Sequence, residues 1–270
     1  NDSGKSSILK MICGLIYKDK GSIYIKGYDT NLKLNKIRSL IGYMPQKVDF
    51  DNDLNIFDNI YIYALLQGMC KEDAIESTNA ILNKLDILKY SKKNVSKLSY
   101  GIIRLAMFAR AVVHNPEIIL LDEPTSNLDP SYSEIIWDYI SSFNNNKTIF
   151  YSTHNFKEAQ NHSDRIVVLF NGSIKYNGTF ENLVKNTFGL TRFIIAYKKC
   201  VPENISKKLS LNPKIIRPVI IENKLKFYST EKSEYFKILK ESLESDIIDT
   251  DSSKCTLEDI FKGINSGESE

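Results

Sequence analysis

Ile118-Ile119-Leu120-Leu121-Asp122-Glu123-Pro124-Thr125 is the stretch on which the reading of this chain turns. A run of consecutive aliphatic residues fits a strand buried on both faces, as in the interior of a parallel sheet. The run then ends on two adjacent carboxylates, which structure alone would avoid, because buried charge is costly unless a cation or strong donors compensate. Side chains alternate along a strand, so Asp122 and Glu123 set out in different directions. One can hold Mg²⁺ through its water while the other faces an attacking water. The plain alternative is a strand exit with solvated acids, and the continuation Ser126-Asn127-Leu128-Asp129-Pro130 speaks against it.

Upstream, Asn1-Asp2-Ser3-Gly4-Lys5-Ser6-Ser7 leads into an apolar helical pattern through Ile8, Leu9, Ile12 and Leu15. Gly4-Lys5-Ser6 is the second half of G-x-x-x-x-G-K-[ST]. In that pattern, consecutive backbone N–H groups ring the phosphates and the helix N-terminus adds partial positive charge. Lys5 can reach the β- and γ-phosphates and the Ser6 hydroxyl can ligate Mg²⁺. A tripeptide is weak by itself and also fits an ordinary helix start with a solvated lysine. The first glycine of the pattern would sit two positions before Asn1, so it and the strand ahead of it are expected outside these residues.

Working outward, a short alternating strand is predicted at 21–27 and another at Ile41–Met44, ending on Pro45-Gln46. Residues 51–97 carry helical apolar faces. Residues 98–114 read as a loop entering a helix. A helix at 131–143, strand Thr148–Ser152, helix 155–162 and strand Ile166–Phe170 continue an α/β alternation with parallel strands. From about residue 190 the rhythm changes. A strand at 192–197, helix at 203–210, strands at 215–221 and 225–228, helix at 232–243 and strand at 246–249 give β-α-β-β-α-β, the ferredoxin-like pattern. Residues 263–270 read as a frayed acidic tail. The division expected is a first domain at 1–188 and a small α+β domain at 189–270.

Composition sets the outer bounds. Of 270 residues, 42% are hydrophobic and 26% charged, ordinary globular usage. The net charge of +3 is too small to argue for nucleic acid or an anionic membrane as the main partner. The cysteines, Cys13, Cys70, Cys200 and Cys255, form no C-x-x-C pair, and three histidines are too few for a metal cluster. Reduced thiols in the cytosol are expected. No run approaches the ~18–20 apolar residues of a membrane helix, and no signal peptide is read.

Taken in order, Lys5, Gln46 after its strand, Leu98-Ser99-Tyr100-Gly101, Asp122-Glu123 and Thr153-His154 resemble the nucleotide-binding domain of ABC ATPases over residues 1 to about 185. The resemblance implies a P-loop NTPase α/β core with a helical subdomain at about 51–115. It implies that Asn1, Ser3, Gly4, Lys5, Ser6 and Ser7 cradle ATP, and that Ser6, Gln46 and Asp122 serve Mg²⁺. Glu123 would polarise the attacking water, with Gln46 and His154 positioning it. Ser99 and Gly101 would donate to the γ-phosphate held by a second copy, with Asp129 at the dimer interface. The partners implied are ATP, a second nucleotide-binding subunit and a separate transmembrane permease, with a cytoplasmic place on the inner face of the cell membrane through that permease. No direct nucleic-acid partner is implied.

Departures from the family pattern are Asp2 and Tyr100 at positions usually glycine, Ile102 where a polar residue is common, and Leu105 where arginine is common. Thr256-Leu257-Glu258-Asp259-Ile260-Phe261 resembles the ending of ATPases that serve ABC-2-type exporters, and equally fits an amphipathic helix capped by Thr256. An ATPase powering a transporter, in the exporting direction, is the leading expectation. A soluble ABC ATPase acting mechanically on ribosomes or DNA is the alternative.

Overall fold

In the computed structural model of the chain, the described residues are 3–30, 34–143, 146–187, 191–202, 205, 209, 212, 214–229, 231–242 and 247–266. They form two compact units, residues 1–154 with 169–173 and residues 155–168 with 174–270. The second unit therefore takes in two helices and most of a hairpin that precede residue 188.

The first unit is built on a parallel sheet of Ile41–Met44 (β3), Ile118–Asp122 (β4) and Thr148–Ser152 (β5), in that order. Met44 pairs with Leu121, and Asp122 with Ser152, so the C-terminal ends of the strands lie side by side. The alternation of β4 divides the core. Ile119 and Leu121 join a cluster with Met44, Ile60, Leu105 and Phe108, whereas Leu120 joins Leu9, Cys13, Ile25, Ile37 and Ile41. Helix Lys5–Ile12 (α1) supplies Leu9 to the second cluster. Burial pushes the Cys13 thiol up to about 12.

The first cluster is roofed by helices Ile56–Leu66 (α3), Lys71–Lys84 (α4) and Tyr100–Val112 (α5), with Pro130–Ser141 (α6) contributing Ile136. Local chemistry starts these helices where they start. The Asn55 side chain accepts from the Asp58 N–H to cap α3, and Cys70 accepts from the Asp73 N–H ahead of α4. Pro130 opens α6, where a missing N–H costs nothing. α5 packs hard on β3: a Cβ on Gly42 would lie 1.9 Å from the Ala111 carbonyl oxygen and 2.8 Å from Pro116 Cγ.

Several expectations need correction. The strand read at 21–27 is only Tyr24–Ile25 (β1), paired with Tyr28–Asp29 (β2) across a turn with positive φ at Lys26 and Gly27. Leu34–Leu40 (α2) is a helix that the sequence did not announce. Ile166–Phe170 (β6) pairs with Ser173–Gly178 (β7), which was not foreseen, rather than with the three-stranded parallel sheet. Asn171 and Gly172, with φ of 47° and 73°, form the turn of a hairpin, a signal outweighed by the α/β rhythm.

In the second unit, Phe156–His162 (α7) and Phe180–Thr187 (α8) precede an antiparallel sheet of Thr191–Tyr197 (β8), Ile216–Ile221 (β9), Lys224–Ser229 (β10) and Ile247–Lys254 (β11). Helices Lys232–Glu241 (α9) and Leu257–Ser266 (α10) complete it. The sheet order is β11-β8-β10-β9, in which the split β-α-β units interleave. Of the helix expected at 203–210, Ile205 and Leu209 are helical and buried, and the other residues lie outside those described. β11 runs on to Lys254, well past the expected end at 249. Residues 263–266 belong to α10 rather than to a frayed tail, and 267–270 lie outside the described residues. Phe193, Ile195 and Tyr197 of β8 pack with Leu225 and Phe227 on one face.

The opposite face carries a buried carboxylate. Asp259, 7% exposed, accepts from Lys226 Nζ at 2.7 Å, Tyr228 Oη at 3.0 Å and Arg192 Nη1 at 3.3 Å. It also accepts from the Thr256 hydroxyl and N–H, while its own N–H donates to Thr256 Oγ1, a reciprocal capping box. Burial alone would raise the Asp259 carboxyl, but the hydrogen bonds from Lys226 and Thr256 outweigh it and hold it well below the usual carboxylate range. Its contribution to stability is thus present above about pH 4 and fades as the pH falls towards the lowered native value.

Two tests follow from this packing. Gly42→Ala is expected to cost about 3 kcal/mol in chemical denaturation; an unchanged midpoint would contradict the close approach of α5. Asp259→Asn is expected to cost about 3 kcal/mol in the second unit and to flatten its loss of stability below pH 4, read by hydrogen exchange of α10 amides.

Candidate functional site

Three loops leave the C-terminal edge of the parallel sheet, the usual site of ligand binding in α/β folds. They carry Gln46 after β3, Glu123 after β4 and His154 after β5. Alongside them, Gly4 enters α1 with φ 94° and ψ 7°, a left-handed turn, and no side chain caps that helix. Its first N–H groups are therefore free of intrahelical and capping partners, an arrangement suited to an anion. Lys5 Nζ sits 3.4 Å from Ser3 Oγ.

Asp122 is buried, 1% exposed, and its Oδ1 accepts from Ser6 Oγ at 3.0 Å and from Ser152 Oγ at 2.6 Å. Hydroxyl and carboxylate oxygens suit a hard cation. Among the described residues no three His, Cys, Asp or Glu side chains form a metal-holding group. The Ser6 hydroxyl beside the Asp122 carboxylate fits Mg²⁺, an ion that commonly takes one or two protein ligands and completes its shell with water and substrate phosphates.

Glu123 adopts φ 48°, a left-handed conformation that costs of order 1–3 kcal/mol in a non-glycine residue. Its N–H donates to Ser152 O at 3.1 Å and to Ser152 Oγ at 3.0 Å, which holds the turn. Its Oε2 accepts from Gln46 Nε2 at 3.3 Å and lies 3.0 Å from His154 Nδ1. The Glu123 side chain is 9% exposed and that of His154 is 60% exposed, so the carboxylate opens to solvent through the histidine side.

Ser6, Gln46, Asp122, Glu123 and His154 are thus brought together. Ser99 and Gly101 make no hydrogen bond to this group among the described residues. Ser99 is exposed at the N-cap of α5 and its side chain makes no capping bond, contrary to the ordinary cap reading. Gly101 lies against α6: a Cβ there would meet the Tyr132 ring at 2.6 Å. Asp129 is exposed at the N-cap of α6, also without a side-chain capping bond, and Ser7 is exposed on α1. Tyr100 is 41% exposed, whereas Ile102 and Leu105 are buried in the core, so these two departures serve packing. Asn1 and Asp2 lie outside the described residues.

Two residues escaped the sequence reading. Ser152 was visible only as a strand's last residue. Arg104 is fully buried, 0% exposed, within the apolar run from Ile102 to Val113. Its Nη1 donates to Pro45 O at 3.0 Å and Gln46 O at 2.8 Å, and its Nη2 to Glu123 O at 2.7 Å and Pro124 O at 3.1 Å. A cation set directly among Ile102, Ile103, Leu105 and Ala106 was the available signal.

Comparison with known proteins bears on the family and the fold. The ABC transporter family matches residues 1–126. The chain is 29% identical to human "Glucosylceramide transporter ABCA12" over 217 residues, covering 78% of this chain and 8% of that protein. It is 34% identical to "ABC transporter A family member 4" of Dictyostelium discoideum over 193 residues, 70% of this chain and 12% of that one. The chain therefore spans a small part of the length of these relatives. Among solved structures, a dimeric ATP-binding cassette in a post-hydrolysis state bound to ADP and Pi superposes with a TM-score of 0.61 at 28% identity, over 66% of this chain and 81% of that one. An ATP-binding subunit of an ABC transporter shares the fold with a TM-score of 0.64 at 24% identity, over 69% and 78% of the two chains. Fold, motif order and relatives agree: the chain carries an ABC nucleotide-binding domain of the α/β P-loop ATPase fold.

Proposed function

We propose that this domain binds and hydrolyses ATP to power a membrane transporter, in the exporting direction, by closing and opening a pair of nucleotide-binding domains. One observation carries the reading: Gln46 and His154 converge on a single carboxylate oxygen of Glu123, beside the Ser6–Asp122 pair.

Phosphoryl transfer asks for positioning and charge neutralisation more than for covalent chemistry. Lys5 and the N–H groups opening α1 bind the phosphates of ATP. Ser6 and Asp122, with Gln46, would hold Mg²⁺, which when bound neutralises phosphate charge. Glu123 Oε2 orients a water molecule and takes its proton, while Gln46 and His154 exchange their bonds to the carboxylate for bonds to the water and the γ-phosphate. The uncommitted Ser99 hydroxyl and the Gly101 N–H donate to the nucleotide of a second copy, and Asp129 lines the same interface. ATP then joins two domains, and its hydrolysis releases them.

Among the described residues no helix is long and apolar enough to cross a membrane. The reading places membrane passage in a partner, either a separate permease subunit or, as the length of the relatives allows, another stretch of the same polypeptide. Its place is the inner face of the membrane, held there by that partner.

In the complete protein, Glu123→Gln is expected to lower phosphate release by about 100-fold or more while ATP-dependent dimerisation persists in light scattering. Turnover at the parent rate, or a variant that stays monomeric with ATP, would overturn the mechanism.

A further inference from the structure

A cation buried among carbonyl oxygens is an expensive way to fill a core. The two terminal nitrogens of Arg104 donate to four backbone oxygens, Nε has no partner among the described residues, and no carboxylate forms an ion pair with the guanidinium among them. Methionine or leucine would occupy the same helix position without desolvating a charge. What arginine adds is a rigid planar fork able to hold separate acceptors in fixed relation.

The identity of those acceptors gives the fork a purpose. Two of the four carbonyls belong to Gln46 and Glu123 themselves, whose side chains meet 3.3 Å apart. The other two belong to their neighbours Pro45 and Pro124, which carry no N–H of their own. Neither loop is a strand at these points, and the β3–β4 ladder, which ends at Met44–Leu121, ties neither to the other. Arg104 Nη1 and Nη2 therefore span from one loop to the other where the sheet no longer does. The same side chain is rooted in α5, five positions after Ser99 and within one continuous helix.

We infer that Arg104 is a positioning residue for ATP hydrolysis: it sets the distance between Gln46 and Glu123 and ties both to the helix whose first turn carries Ser99 and Gly101. The inference rests on the ATPase reading above. A shift of either loop on nucleotide binding is passed to the start of α5, so the site in one copy and the surface offered to a second copy move together. The effect is on geometry: the terminal nitrogens of Arg104 are taken up by backbone carbonyls and the side chain is fully buried. Misplacement of a catalytic pair by about 1 Å can cost about 100-fold in rate, and a change of that size falls on kcat rather than on the affinity for ATP.

The test uses Arg104→Lys and Arg104→Met in the complete protein, with thermal unfolding measured beside ATP hydrolysis. Lysine keeps the charge without the fork, and methionine fills the space without charge. Both are expected to lower kcat by about 100-fold with KM within about threefold of the parent. Combined with Gln46→Ala, each is expected to be far from additive, because both changes act on one pair. A folded variant with the parent kcat overturns the inference, as does an equal change in kcat and KM, or additivity with Gln46→Ala. Loss of folded protein in both variants assigns Arg104 to stability alone and overturns it equally. Failure of the underlying reading looks different: Glu123→Gln would then hydrolyse ATP at the parent rate, whatever Arg104 does.

Discussion

The hydroxyl of Ser152 stands between the two carboxylate residues that end β4. It donates to Asp122 Oδ1 and accepts from the Glu123 N–H. The parallel register that pairs Asp122 with Ser152 makes this possible, since a one-residue slip would turn the serine to the other face. Through that hydroxyl, Asp122 is held towards Ser6 while Glu123 is held in a backbone conformation it would otherwise leave. The rest of the site depends on this arrangement, because Gln46 and His154 find a carboxylate only where the turn places it.

The strain at Glu123 has a use. A strand continuing in β geometry would send residues 122 and 123 to opposite faces. The left-handed turn instead brings the second carboxylate back over the sheet edge, within reach of loops from both neighbouring strands. Backbone bonds to Ser152 and the guanidinium on the Glu123 carbonyl offset a cost of order 1–3 kcal/mol. The local order of the chain is thus spent on one oxygen atom, Oε2, rather than on the stability of the strand.

Much of this was legible in the residues. Ile118 to Leu121 announced a strand buried on both faces because apolar burial leaves no polar alternation. Asp122 and Glu123 stood out because charges there require compensation. Gln46 and His154 followed from the resemblance to ABC ATPases, with the place of His154 at a strand's C-terminal end in support. Ser152 and Arg104 were not read, because their roles come from contacts across long sequence separations; a serine at a strand end is ordinary, and the cation within the apolar stretch of α5 was passed over. The hairpin of β6 and β7 was missed for the reverse reason: its Asn171-Gly172 turn is a local signal, but the long-range α/β rhythm was given precedence. The extension of β11 carries little apolar periodicity of its own, so tertiary context decides it, whereas Leu34, Ile37 and Leu40 of α2 stand at helical spacing in a span too short to stand out.

The distribution of thiols offers a practical handle. Cys13 and Cys255 are enclosed, with burial pushing them up to about 12 and about 11, whereas Cys70 and Cys200 are exposed, one in each compact unit. Maleimide dyes react through the thiolate at an accessible sulfur. The native sequence thus presents a ready donor–acceptor pair, so that a single-molecule fluorescence ruler between the two units needs no engineered attachment points.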